Sequence, residues 1–271
     1  MSDILQQIVA NKRQEIARQK EAISLKLMLA MGSERLERPT QSMRKALAAS
    51  TSGIIAEFKR KSPSKGWLFP EAQAAQVVAD YERAGASACS ILTDDSFFGG
   101  SLGDLQKARR RVKLPLLRKD FIIDDYQLYQ ARLFGADAVL LIAACLTKEQ
   151  CNALVDTAHS LQLEVLLEIH REEELDYLTP SIDMLGVNNR NLGTFDTDVD
   201  NSFRLASAIE AQVGRVGDGS SPLLVAESGI SNPATVTALR QAGFRGFLIG
   251  ETFMKTTNPG NTLSTFIQEI V

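Results

Sequence analysis

The chain has 271 residues, 44% hydrophobic and 23% charged, with a formal net charge of -3 at pH 7. That length encloses a substantial core, as one large α/β domain or two small ones, and the composition excludes a fibre or a disordered arm. The slight negative balance gives no general field for nucleic acid or an anionic bilayer, so an anionic ligand must be held by local groups.

From Ile4 to about Ala30 the apolar positions Ile4, Leu5, Ile8, Ile16, Ile23 and Leu27 recur at helical spacing. This predicts one amphipathic helix or two, and the mixed signs of the polar face favour packing on the chain's own domain over a membrane surface. The first twenty residues carry mixed charges from residue 11 onward, and no later stretch reaches the roughly 20 apolar residues that cross a bilayer, so neither export nor a membrane span is expected. Cys89, Cys145 and Cys151 are an odd number without metal-type spacing, each in or beside apolar sequence. They read as buried thiols and fit a reducing cytoplasm.

After residue 50 strand and helix alternate. Strands are predicted at 53–59, 86–92, 114–120, 137–143, 163–169, 184–189, 222–228 and 246–250, with a segment long enough for a helix between each pair. Near-continuous apolar strands joined by helical crossovers require a parallel sheet covered on both faces, and eight units of this length match a (β/α)₈ barrel. Gly85, Gly135 and Gly243 stand where helix C-caps belong. An open doubly wound sheet is the alternative, with fewer strands and a switch point. No linker or composition break divides the chain. A single α/β barrel domain over residues 1–271 is expected, with residues 1–50 as a helical extension packed on it.

Charges gather where the predicted strands end. Glu57 and Lys59, Lys119, Glu168, Asn188 and Arg190, and Glu227 and Ser228 close five of the eight strands, while the opposite ends begin with small or turn residues and show no comparable set. Residues two apart on a strand share a face, and in a closed parallel barrel these ends build one mouth. Ionisable groups crowded there must neutralise one another and shift in pKa, which suits proton transfer. After the seventh and eighth strands, "ESGI" and "IGET" place Gly229 and Gly250 in turns, the latter ahead of a short helical stretch. That is where this class of barrel holds a phosphate.

Other motifs carry less. "GRVGDGSSP" is Gly-rich but precedes a strand and lacks Gly-Lys-Ser/Thr, and no Gly-x-Ser-x-Gly elbow is present. With only His159 and His170 and scattered thiols, no metal site is expected. The basic run Arg109–Arg111 with Lys113 reads as a solvated helix end, since no aromatic residues interleave it.

The segments "IIAEFKRKSPSKG", "LPLLRKDFIIDDYQLYQARLFGADAVLLI", "LEVLLEIH", "GVNNRNL", "VAESGI" and "FLIGE" resemble the signature segments of the indole-3-glycerol-phosphate synthase family, over residues 1–271. The resemblance implies ring closure of 1-(2-carboxyphenylamino)-1-deoxyribulose 5-phosphate, with loss of CO₂ and then water, in tryptophan biosynthesis. It implies no cofactor, because the anilino nitrogen itself pushes electrons into the ring. It also leaves room for association with other tryptophan-pathway enzymes. By analogy Lys119 is the general acid at the ribulose carbonyl and Glu168 its acid/base partner. Lys59 resembles the group that binds the substrate carboxylate and serves as acid when hydroxide leaves, with Glu57 and Asn188 orienting hydroxyls. Ser62 and Arg190 match the anthranilate side, Ser228, Gly229, Gly250 and Glu251 the phosphate grip, and Phe98, Phe121 and Leu140 an apolar sleeve for the ring. The stretch "WLFP" after Gly66 looks a few residues shorter than the family's loop, so gating over the substrate is expected to differ. Two alternatives stay open at this level: another phosphate-binding barrel enzyme such as a phosphoribosyl isomerase, and a non-catalytic barrel acting as a binding partner.

Overall fold

The computed structural model describes residues 4–191, 196–213 and 221–270. Eight parallel strands form a closed barrel: β1 (Ile54–Phe58), β2 (Ala88–Leu92), β3 (Leu116–Lys119), β4 (Ala138–Ile142), β5 (Glu164–Ile169), β6 (Met184–Asn188), β7 (Leu223–Glu227) and β8 (Gly246–Ile249). Each pairs with its neighbours in sequence, and β8 closes on β1 with Ile55 opposite Leu248. Every strand lies within two residues of its predicted range, because the buried apolar runs that define a doubly covered strand stop where the polar residues begin.

Three helices precede the barrel, α1 (Ile4–Ala22), α2 (Leu25–Leu36) and α3 (Met43–Ala49). The crossovers are α4 (Ala74–Arg83), α5 (Leu102–Arg109), α6 (Asp125–Phe134), α7 (Lys148–Ser160), α8 (Asp200–Val213) and α9 (Pro233–Gln241), and α10 (Glu251–Met254) and α11 (Pro259–Gln268) follow β8. Side-chain caps start most of them: Ser101, Asp124 and Asn232 accept backbone N–H bonds, and Thr147 and Gln150 form a reciprocal capping box. Gly85, Gly135 and Gly243 carry φ of 95°, 101° and 99°, as expected of residues that end helices. The fifth crossover departs from the predicted rhythm: between β5 and β6 only a 3₁₀ helix forms, Glu172–Tyr177. Pro180 bars continuation, and the Glu174 carboxylate is drawn back to the backbone N–H of His170, 2.6 Å away.

Strand parity splits the core in two. Ile55, Ala88, Leu117, Leu140, Leu166, Met184, Val225 and Leu248 fill the barrel, while Ile54, Ile91, Leu116, Val139, Leu167, Leu185, Leu224 and Phe247 face the surrounding helices. Met43 and Leu47 of α3 join the inner set and close the end where the strands start, and Leu5 and Ile8 of α1 join it at the other end.

The strand starts are not bare of charge, contrary to the sequence reading. Buried Asp137, ahead of β4, binds Arg38 at 2.9 Å and Arg109 at 2.7 Å and accepts the backbone N–H groups of Gln41 and Leu116. Glu164 takes the Arg44 amide at 2.8 Å and the Ser42 hydroxyl. These carboxylates fasten the N-terminal extension to the barrel floor, so they serve stability rather than a second site. Arg109 is correspondingly no solvated helix end: besides Asp137 it donates to the carbonyl oxygens of Val112 and Leu114. Cys89 and Cys151 are buried and Cys145 partly so; burial lifts the Cys151 thiol to about 11, which keeps it inert. Among the described residues no helix is long and apolar enough to cross a membrane, and no group of three or more His, Cys, Asp or Glu could hold a metal ion. Most of the Gly-rich stretch before β7, residues 214–220, lies outside the described residues.

Candidate active site

The parity that fills the barrel also aims its last residues into the mouth. Inward-facing Ile55 is followed by Glu57 and Lys59, Leu117 by Lys119, Leu166 by Glu168, Met184 by Gly186 and Asn188, and Val225 by Glu227. Between these pairs the outward parity takes a different charge: Arg118 points away, bonding Asp120, Thr93 and the Gln127 carbonyl. Arg60, just past Lys59, likewise turns out to a bidentate pair with Asp104 at 2.7 and 2.8 Å.

These inward groups line a cavity of about 630 Å³. Lys119 Nζ stands 3.2 Å from Glu168 Oε2 and 3.3 Å from Glu227 Oε2, and Lys59 Nζ donates to Glu57 Oε1 at 2.8 Å. Asn188 Nδ2 donates to Glu168 Oε1 at 3.1 Å, and Asn188 Oδ1 accepts the Arg190 amide at 3.0 Å. The Arg190 guanidinium spans the opening, from the Ser64 hydroxyl at 3.1 Å to Glu251 at 3.6 Å.

Burial and pairing divide the protons. Burial would raise the Glu57 carboxyl, but Lys59, Lys119 and Arg190 outweigh it and hold the group below its ordinary value. Glu168 is likewise kept ionised, burial being overcome by Lys119, His170 and Asn188. Burial disfavours the Lys119 ammonium, yet Glu168, Glu227 and Glu57 more than compensate and hold its pKa far above the usual lysine range. Glu227 goes the other way: burial, with repulsion from Glu168, lifts it to about 8 in spite of Lys119. At neutral pH the Lys119 ammonium, the Glu57 and Glu168 carboxylates and the Glu227 carboxylic acid therefore share the mouth, a set able both to donate and to accept protons.

Of the residues singled out in the sequence, Glu57, Lys59, Lys119, Glu168, Asn188, Arg190, Phe98, Phe121, Leu140, Ser228, Gly229, Gly250 and Glu251 all line this cavity. Ser62 does not: it is buried in a small hairpin that pairs Lys61–Ser62 with Gly66–Trp67, and its hydroxyl accepts the Lys65 amide at 3.2 Å. Phe98 and Phe121 have ring centroids 6.1 Å apart. Directly after Glu227, Ser228 and Gly229 both take left-handed φ, 68° and 76°, and a Cβ on Gly229 would lie 2.4 Å from Thr197 Cγ2. At Gly250 a Cβ would lie 2.3 Å from Glu57 Oε1, so only glycine lets β8 pass the Glu57 carboxylate.

Three features in and behind the cavity wall were not foreseen. Ile4, Leu5 and Ile8 of α1 complete the apolar side. One turn further, Lys12 is wholly buried and binds Glu15 at 2.8 Å, Asp94 at 3.0 Å and Asp120 at 2.9 Å. The signal was present, since Leu5, Ile8, Lys12 and Ile16 form one buried helical face with a lysine in an apolar row. The third is His170, behind Glu168 on the same strand parity, with Nε2 3.3 Å from Glu168 Oε1.

A family model described as indole-3-glycerol phosphate synthase matches residues 5–266. The chain is 58% identical over 270 residues to the indole-3-glycerol phosphate synthase of Bacteroides thetaiotaomicron, covering 100% of both chains. It is 44% identical over 266 residues to that of Neisseria meningitidis, covering 95% of this chain and 96% of the other. Among solved structures, tryptophan synthase subunit alpha from Legionella pneumophila has the same fold, with a TM-score of 0.60 over 84% of this chain and 97% of that one at 14% identity. With a family model spanning nearly its whole length and full-length relatives this similar, the chain belongs to the indole-3-glycerol phosphate synthase family.

Proposed function

We propose that the chain is a carboxy-lyase of the cytoplasm that closes the indole ring of 1-(2-carboxyphenylamino)-1-deoxyribulose 5-phosphate in tryptophan biosynthesis, as a single barrel domain with its helical extension. The observation that carries this reading is Lys119, held between Glu168 and Glu227 in a cavity with an apolar sleeve on one side and glycine turns on the other. The substrate has two anionic ends and an aromatic ring between them. Its phosphate fits the turns at Ser228–Gly229 and Gly250–Glu251, where backbone N–H groups can approach closely. Its ring fits against Phe98, Phe121 and Leu140, and its carboxylate lies within reach of Lys59 and Arg190.

In that pose the ring carbon bearing the carboxylate attacks the ribulose carbonyl, and Lys119 gives its proton to the developing alkoxide. An ammonium with a raised pKa suits this step, because an alkoxide is more basic still. CO₂ departs from the same ring carbon, and the electron pair of the broken bond restores the aromatic sextet. The new hydroxyl then leaves as water, pushed by the anilino nitrogen, with a proton from Lys59. Loss of the neighbouring C–H proton to the ionised Glu168 completes the indole. Glu57 and Asn188 orient Lys59 and Glu168 through the bonds given above, and Glu227 enters the set as a carboxylic acid beside Lys119. The purified chain, mixed with the synthetic substrate, should give indole fluorescence together with one CO₂ per turnover. Substrate unchanged, or isomerised without release of CO₂, would refute the reading.

A further inference from the structure

The mechanism leaves one buried titratable side chain at the mouth without a task. His170 is the second residue after Glu168, and its ring lies between two carboxylates: Nε2 is 3.3 Å from Glu168 Oε1, and Nδ1 is 3.7 Å from Glu174 Oε2. Neither ring nitrogen makes an aligned hydrogen bond, so the ring's tie to both is one of charge. The backbone fixes it there. The His170 N–H donates to Glu174 Oε2 at 2.6 Å, and Asn201 of α8 donates to the His170 carbonyl at 3.1 Å. His170 does not line the cavity, so it cannot touch the substrate.

The Glu168 carboxylate is thereby divided. Oε2 faces Lys119, whereas Oε1 is shared by the Asn188 amide and the His170 ring. We propose that His170, as an imidazolium, is a positioning residue for Glu168: it anchors Oε1, turns Oε2 toward Lys119 and keeps the carboxylate ionised for the final proton transfer. This rests on the reading of Glu168 as the acid/base group. The charged groups facing the ring are Glu168 from β5 and Glu174 from the 3₁₀ helix, with Arg171 bound to Glu174 at 3.3 Å and Lys119 of β3 beyond Glu168. Burial alone would push the ring's pKa down, but the two carboxylates outweigh it and hold it at about 9.

The chain has only two histidines, so the coupling can be observed directly. In a His159→Gln background, every imidazole signal in a ¹⁵N nuclear magnetic resonance titration belongs to His170. The expected result is a ring protonated up to about pH 9 in the parent, with its titration moved clearly downward in Glu168→Gln. A ring that titrates in the ordinary imidazole range near 6.5, or that ignores Glu168→Gln, overturns the proposal. In turnover, His170→Asn should lower kcat about tenfold, less than the hundredfold or more expected for loss of the acid/base group itself, with KM within about twofold. The fall in kcat near pH 9 should vanish from its profile, while the change due to Glu227 near pH 8 remains in both proteins. An unchanged kcat, or a fall near pH 9 that persists in His170→Asn, refutes the positioning role. Failure of the parent protein to make indole at all would refute the proposed function instead, and the titration distinguishes the two.

Discussion

Lys12→Met offers the sharpest test of how the extension is joined to the site. The ammonium is fully enclosed, and so are two of its three partners, Asp94 and Asp120; only Glu15 reaches solvent. Methionine fills the space of the side chain but strands the two buried carboxylates. Asp120 keeps Arg118 and the Thr93 hydroxyl, whereas Asp94 Oδ2 keeps no hydrogen-bond partner among the described residues. Breaking one side of a buried charge cluster costs about 3–5 kcal/mol. At roughly 2–4 °C per kcal/mol for a chain of this size, Tm should fall by about 6–20 °C. Calorimetry reads the shift, and Lys12→Met with Asp94→Asn should recover part of it because one stranded charge is gone. The pH dependence follows from Asp120, whose carboxyl would be raised by burial but is held well below its ordinary range by Arg118 and Lys12. Its contribution is in place above the unfolded value near 4 and is lost as pH falls through the folded one. Because Ile4, Leu5 and Ile8 share this helix and the cavity wall, KM should rise as well. A loss below about 1 kcal/mol, with KM unchanged, would show that the cluster neither docks the helix nor shapes the cavity.

Three further outcomes follow from the same geometry. Lys119→Ala should lower turnover at least about a hundredfold, as removal of a general acid does, with the circular dichroism spectrum unchanged; indole appearing at the parental rate would end its assignment. Gly229→Glu should raise KM at least about tenfold, by placing a side chain and a negative charge on a left-handed backbone where the phosphate is proposed to sit, and an unaltered KM would count against the cradle. For Glu227, a folded pKa near 8 lies above the unfolded one, so its contribution to stability is present below about 4.5 and is lost as pH rises toward 8. Glu227→Gln mimics the protonated form and should gain stability relative to the parent across that window; parallel urea midpoints from pH 5 to 9 would contradict the raised value.

The barrel was legible because one physical rule, burial on both faces, writes itself as runs of apolar residues eight times over. The rim was legible for a related reason. A strand that hides its sides can place charge only at its end, and residues such as Glu57, Lys119 and Glu168 sit there on inward parity. What escaped were residues whose meaning depends on distant chain segments. Lys12 reads as one more charge on an amphipathic helix until Asp94 and Asp120 arrive from the ends of β2 and β3. Arg109 reads as a wet helix end until Asp137 meets it, and the fifth crossover reads as helical until Glu174 is diverted to the His170 amide. Glu227 was visible as a strand-end charge, but its unusual proton affinity exists only beside Glu168 in a closed cavity.

An acid, its partner carboxylate and an anion cradle are proposed to converge on one substrate molecule. The most direct measurement is a crystal structure with an unreactive substrate analogue in which the ribulose carbonyl is reduced to an alcohol. The account predicts the phosphate against Ser228–Gly229 and Gly250–Glu251, the carboxylate at Lys59 and Arg190, and the new hydroxyl within hydrogen-bond distance of Lys119 Nζ. A phosphate at the Lys59 side, or a hydroxyl out of reach of both Lys119 and Glu168, would contradict it.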